Sequence, residues 1–150
     1  MSGETIGEYE LVTLRAADYE QVRALWETAG LPIRPHGRDS AEQFARQIAA
    51  GTQTVLGVRA GDRVIGVVLA THDGRKGWIN RLAVHPDFRR KGIGRMLVEQ
   101  AERVLRAQGI QIIAALIEDG NTASLALFEQ AGYTRHPDIH YLTKRDSQDV

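Results

Sequence analysis

Residues 85–105, HPDFRRKGIGRMLVEQAERVL, bring together two features that the start of a helix ordinarily avoids. From Ile93 onward the stretch reads as an amphipathic helix, apolar at Ile93, Met96, Leu97, Ala101, Val104 and Leu105, with Gly109 placed to end it. Its first turn is costly. Gly92 and Gly94 each give up about 1 kcal/mol of helix propensity relative to alanine. Arg89, Arg90, Lys91 and Arg95 add positive charge to a helix end whose dipole is already positive. A solvated run of cations would account for neither glycine. A phosphate accounts for both: glycine lets the ligand approach the free backbone N–H groups, and the cations neutralise it.

Two familiar phosphate ligands do not fit. A triphosphate loop needs G-x-x-x-x-G-K-[ST], and no lysine and hydroxyl follow Gly92 or Gly94 at that spacing. A dinucleotide fingerprint needs G-x-G-x-x-G, and Leu97 stands where its third glycine belongs. The chain has no cysteine and no G-x-S-x-G elbow, so an acyl-enzyme route has no evident nucleophile. His136 and His140 are four apart but flank Pro137, which argues against the helix they would need to share a metal. No metal is expected.

The elements that must hold this loop follow from hydrophobic periodicity. Residues 1–8 read as a polar tail, Tyr9–Arg15 as a strand, Asp18–Ala29 as a helix and 31–38, with two prolines and a glycine, as loop. Asp39 or Ser40 caps a second helix reaching Ala50. Thr54–Ala60 and Arg63–Thr71 form a hairpin around Gly61 and Asp62, and Trp78–Val84 is a further strand closed by Pro86. After the long helix, Ile110–Ile117 is apolar enough for a strand covered on both faces. Asn121 caps a last helix that ends before Gly132, and Tyr133–Thr134 and Ile139–Thr143 read as short closing strands. The expected order is βααβββαβαββ, a mixed α/β domain with a mostly antiparallel sheet, spanning 1–150 as one domain.

The balance of 19 Lys and Arg against 19 Asp and Glu gives zero formal net charge, so no global field points to nucleic acid or an anionic membrane. No stretch reads as a secretion signal or a membrane span, and a cytoplasmic protein is expected.

The segment Arg89–Gly94, RRKGIG, resembles the R/Q-x-x-G-x-G/A pyrophosphate loop of the GNAT (GCN-related) N-acetyltransferase superfamily. It follows NRLAVHPDF (80–88), similar to the family's strand ending L-x-V-x-P. It precedes NTASLALFEQAGY (121–133), similar to N-x-x-A-x-x-L-Y-E-x-x-G-F/Y. The resemblance runs from the first strand to the last, and the stretch 71–84 is also similar to a bacterial and archaeal subgroup with no assigned acceptor. It implies acetyl-CoA as co-substrate. Arg89, Arg90, Lys91, Gly92, Ile93, Gly94 and Arg95 would hold the pyrophosphate. The main chain of Leu82, Ala83 and Val84 would pair with the pantetheine arm, and one amide would polarise the thioester carbonyl. Asn121 would stand near the thiol end, or serve only as a helix cap.

The same resemblance implies direct attack by an amine, borne by a small molecule or by a protein or peptide, with the pocket framed by Trp26, Leu31–Arg38 and His136–Tyr141. Asp73 and Asn80 are further acceptor candidates, though Asp73 equally suits a turn. Family members often donate a proton to the leaving thiolate from a tyrosine, and the matching residue here is Phe128, which cannot. Tyr133 and Tyr141 are the nearest alternatives, and Glu118, Asp73 and His72 are candidates for a base acting through water. Three functions are therefore compatible with the sequence: an N-acetyltransferase, an acetyl-CoA sensor without turnover, and an interaction module, with a homodimer among the assemblies the resemblance allows.

Overall fold

The apolar runs between residues 53 and 84 bury both their faces only as central strands with helices on either side. The computed structural model, which describes residues 4–6 and 8–148, places them that way. Strands β1 (Glu4–Ile6), β2 (Tyr9–Thr13), β3 (Gln53–Ala60), β4 (Arg63–His72), β5 (Lys76–Val84) and β6 (Ile112–Ala114) form one sheet in chain order. Neighbours from β1 to β5 are antiparallel, whereas β6 lies parallel to β5.

Helices α1 (Tyr19–Thr28) and α2 (Ala41–Ala49) cover one face, where Val22, Leu25, Trp26 and Phe44 pack with Val55, Val64, Val67, Leu69 and Ala83. Helices α3 (Ile93–Ala107) and α4 (Thr122–Gln130) cover the other, where Leu97, Val98, Leu105 and Phe128 meet Leu56, Val58, Ile65, Val68 and Ile79. Each fully buried Val, Leu or Ile is worth about 1.5–3 kcal/mol. That burial outweighs the propensity lost at the glycine-rich start of α3. The helix lies hard on β4 at Gly66, where an added Cβ would sit 3.0 Å from Ile93 Cγ2 and 3.1 Å from Leu97 Cδ1.

The expected order is altered at both ends. Residues 4–6, expected as tail, pair antiparallel with β2 as β1. The apolar stretch 110–117 yields only the three residues of β6, and Ile112 and Leu116 stay more than half exposed. The closing strands at 133–134 and 139–143 do not form. Tyr133 is claimed by the end of α4, its N–H bonded to Phe128 O at 3.0 Å beside Gly132 in the left-handed region, which completes a helix cap and not a ladder. Beyond it Pro137 has no N–H to give a ladder, and Ile139 N–H closes a turn on His136 O.

Candidate active site

A bulge in β5 organises the site. On β4 two steps separate Leu69 from Val67, while on β5 three separate their partners Asn80 and Ala83, so β5 carries one extra residue. Arg81 absorbs it with φ at 56°, a left-handed backbone uncommon outside glycine. The pairing of β5 with β6 stops at Trp78↔Ala114, where β6 ends, before the bulge is reached. The gap this leaves beside the rest of β5 is filled by no strand among the described residues.

The register decides which groups face the gap. His85 N–H donates to Ile65 O at 2.8 Å, and pairs in an antiparallel ladder alternate, so Ala83 turns its N–H and C=O toward β4. Leu82 and Val84 turn theirs toward the gap. Of the three residues expected to pair with a ligand, two therefore present main-chain groups to it, and Ala83 is buried on the α1 face. Val84 O is met by Arg89 Nε at 3.3 Å.

The end of β5 lies beside the start of α3, where an added Cβ at Gly94 would come 3.9 Å from Val84 Cγ2. Gly92 is the helix N-cap, with φ at 79° and nothing within 4 Å of an added Cβ, so only glycine suits its backbone and open space lies before it. Met96 N–H bonds Gly92 O at 3.0 Å, and the N–H groups of Ile93, Gly94 and Arg95 precede it in the first turn without an intrahelical acceptor. At Gly94 an added Cβ would meet Leu127 Cδ2 at an ordinary 3.4 Å, so packing alone gives little reason for glycine there. Arg90, at φ 64°, and Lys91 are exposed. Arg95 leans along the helix to Glu99, 3.2 Å away.

Asn121 accepts from Ser124 N–H at 3.2 Å, the bond of an N-cap, and sits at the start of α4. Phe128 is buried, its ring edge-on to Tyr133 at 5.0 Å. The Tyr133 hydroxyl donates to Glu102 at 2.7 Å, and burial together with that carboxylate pushes its pKa up. Both rings thus belong to the α3–α4 packing. Tyr141 is two-thirds exposed.

On the opposite face of the sheet, Trp26 is a core residue, stacked edge-on to Phe44 and covered by the Arg81 guanidinium 4.6 Å from its ring centre. It packs beneath the 31–40 loop and does not line an open pocket. Arg81 Nη1 donates to Pro32 O at 2.8 Å, and its Nη2 lies 3.5 Å from Asp39 Oδ2. Arg81 was not among the expected site residues. Asn and Arg side by side in a strand that otherwise alternates were the available signal, since two successive polar residues mark an inserted one. Asp73 closes the β4–β5 turn, its carboxylate accepting from Arg75 and Lys76 N–H at 2.8 and 2.9 Å, and these bonds hold its carboxyl below the usual range. Asn80 stands opposite Leu69 just before the bulge.

Solved structures share the fold that carries this site. An aminoglycoside acetyltransferase from an uncultured soil metagenomic sample, bound to trehalose, matches over 95% of this chain and 100% of its own, with a TM-score of 0.76 and 15% identity. A PaiA N-acetyltransferase from Thermoplasma acidophilum, bound to coenzyme A, matches over 82% and 87% at a TM-score of 0.72 and 18% identity. A ribosomal-protein alanine N-acetyltransferase from Escherichia coli matches over 83% and 76% at 0.70 and 20% identity. At such identities the likeness is one of fold. The family profile described as Acetyltransferase (GNAT) family matches residues 18–133. That span takes in α1, the β5 bulge, the glycine-rich start of α3 and the whole of α4, and the chain belongs to the GNAT acetyltransferase family.

Proposed function

We propose that this chain, acting as one catalytic domain over its full length, transfers the acetyl group of acetyl-CoA directly to an amine in a ternary complex. The observation that carries the reading is the end of β5, left without a strand partner beyond Trp78 on its β6 side, lying beside the free first turn of α3. The fit to coenzyme A is chemical. A pyrophosphate suits the N–H groups of Ile93, Gly94 and Arg95 with the charge of Arg89, Arg90 and Lys91 nearby. An extended amide-bearing pantetheine arm suits the main-chain groups of Leu82 and the N–H of Val84, which face no strand, in the manner of an added strand.

The thioester then lies beside the bulge, where a main-chain N–H polarises its carbonyl. One such donor aimed at the developing oxyanion is typically worth about 3 kcal/mol. The amine nitrogen attacks the carbonyl carbon, the new C–N bond forms, the C–S bond breaks, CoA leaves as thiolate, and the proton that the nitrogen sheds passes to water, which returns one to the sulfur. Phe128 offers that thiolate no proton, and the Tyr133 hydroxyl is committed to Glu102. Water is the donor. Asn121 holds the start of α4 and thereby the position of Leu127 against Gly94.

Calorimetry with CoA and thiol release from acetyl-CoA in the presence of primary amines test the reading. Wild type is expected to bind CoA, and Gly92→Val, whose branched side chain enters the space before α3, to lose at least tenfold in affinity. A folded Gly92→Val variant binding CoA within a few-fold of wild type would overturn the loop assignment.

A further inference from the structure

Resting on the transferase reading, we propose that the acceptor is anionic: it carries a carboxylate or a phosphate close to the amine that is acetylated. With CoA along the end of β5 and the start of α3, the side left to the amine is the α1–α2 side, where it must come in past the loop of residues 31–40, which covers Trp26 and Arg81. The charges there are unequal. Among the described residues the guanidinium groups of Arg38 and Arg81 face one carboxylate, Asp39, whose Oδ2 lies 3.9 Å from Arg38 Nε and 3.5 Å from Arg81 Nη2 and accepts from the main-chain N–H of Arg34 at 2.7 Å, while the Arg34 side chain adds a third cation on the same loop. One carboxylate thus serves two guanidinium groups at ion-pair range. Among the described residues, Glu27 of α1 and Glu42 of α2 are engaged elsewhere, with Arg23 and Arg46. Arg34 Nε spends itself on a neutral acceptor, Gln148 O.

Arg81 shows how incomplete the neutralisation is. Its Nε and Nη2 are buried without a hydrogen-bond partner, in a side chain only 20% exposed. Burial works against its positive charge more strongly than Asp39 supports it. A cation held in low dielectric with one shared counter-ion projects a positive potential out through the loop above it. Arg34 and Arg38 are the exposed members of the set; Arg34 Nε is bonded to Gln148 O, so Arg38, 45% exposed, offers the freer fork, whose planar geometry matches carboxylate and phosphate alike. A polycationic acceptor such as an aminoglycoside meets the wrong sign here.

The test measures thiol release from acetyl-CoA with matched amines that differ in charge: phenylalanine against phenylalaninamide, phosphoethanolamine against ethanolamine, and tobramycin as the polycation. The anionic member of at least one pair is expected to exceed its neutral partner tenfold or more in kcat/KM, the pair showing which anion is taken, with tobramycin below both. Arg38→Gln, at a position exposed enough to leave folding intact, is expected to erase that preference while CoA affinity by calorimetry stays within twofold. Turnover that favours the neutral or cationic amines, or a preference that survives Arg38→Gln, overturns the proposal and leaves the transferase reading standing. CoA binding without turnover of any of the five amines removes both.

Discussion

Arg90 and Gly92 share a left-handed backbone on either side of Lys91, and only one of them is a glycine. Holding a non-glycine residue there costs about 1–2 kcal/mol. Arg90→Gly is therefore expected to raise thermal stability by about 1 kcal/mol while weakening CoA binding several-fold, since relief of strain and loss of a phosphate-facing charge arrive in one substitution. Differential scanning calorimetry and CoA titration read the two effects separately. Stability and affinity moving in the same direction would exclude this division of roles. Tyr133 supplies a second case. Its pKa is raised in the folded protein, so its contribution to stability is full below about pH 10, the value of a free tyrosine, and is lost as pH rises through the higher folded value. Tyr133→Phe should cost about 1 kcal/mol at neutral pH and flatten the alkaline limb of a stability–pH curve. Acetyl transfer should not change.

α4 depends on its first residue. Asn121→Ala removes the bond to Ser124 N–H and is expected to cost about 1 kcal/mol, whereas Asn121→Ser should restore most of it. CoA affinity measured on both variants separates capping from ligand contact, because a serine that restores stability but not affinity would mean that the amide itself reaches the coenzyme. The bulge of β5 offers a parallel test. Arg81→Met keeps the aliphatic stem over Trp26 but leaves Asp39 with one partner fewer and Pro32 O with none, and about 2–3 kcal/mol of stability should go with them. Urea unfolding measures that loss. Helices and central strands were readable in advance because each has a period that burial enforces, 3.6 for Leu97, Ala101 and Leu105, and nearly unbroken apolarity for Val64–Ala70. The final strands were misread because alternation in 139–143 states a capacity for pairing, while pairing itself needs a neighbouring edge that the three residues of β6 do not extend to them.

Across the domain as a unit, charge is balanced and its distribution is not. Cations gather before α3 and again around Asp39, on opposite faces of the sheet. With zero formal net charge there is no general attraction for anions, so a fall in CoA affinity as salt rises from 0.05 to 0.5 M reports the local cluster alone, and Arg90→Ala should shallow the slope. Salt-independent binding would mean that backbone N–H groups carry the phosphate unaided. The loop proposed to take the phosphate stood out in the sequence because Gly92 and four cations break rules that local structure would otherwise keep. The acceptor side was not. Trp26 lies on an apolar stripe that suits core better than pocket although it is also a pocket candidate, and the partner that covers it, Arg81, comes to it from 55 residues away through a strand irregularity that only the register of β4 against β5 reveals.

The alternation of main-chain direction along the end of β5 also has a signature in time. Ala83 N–H is locked to β4 in the middle of the sheet, whereas Leu82 and Val84 N–H, one residue to either side, have no strand to face. In the empty protein, hydrogen–deuterium exchange should therefore read fast, slow, fast over three consecutive residues of one strand, a pattern that neither fraying nor global unfolding produces. Saturating CoA should slow the outer two toward the rate of the middle one. The same three amides would thus record, without any acceptor or turnover, whether the coenzyme completes the sheet.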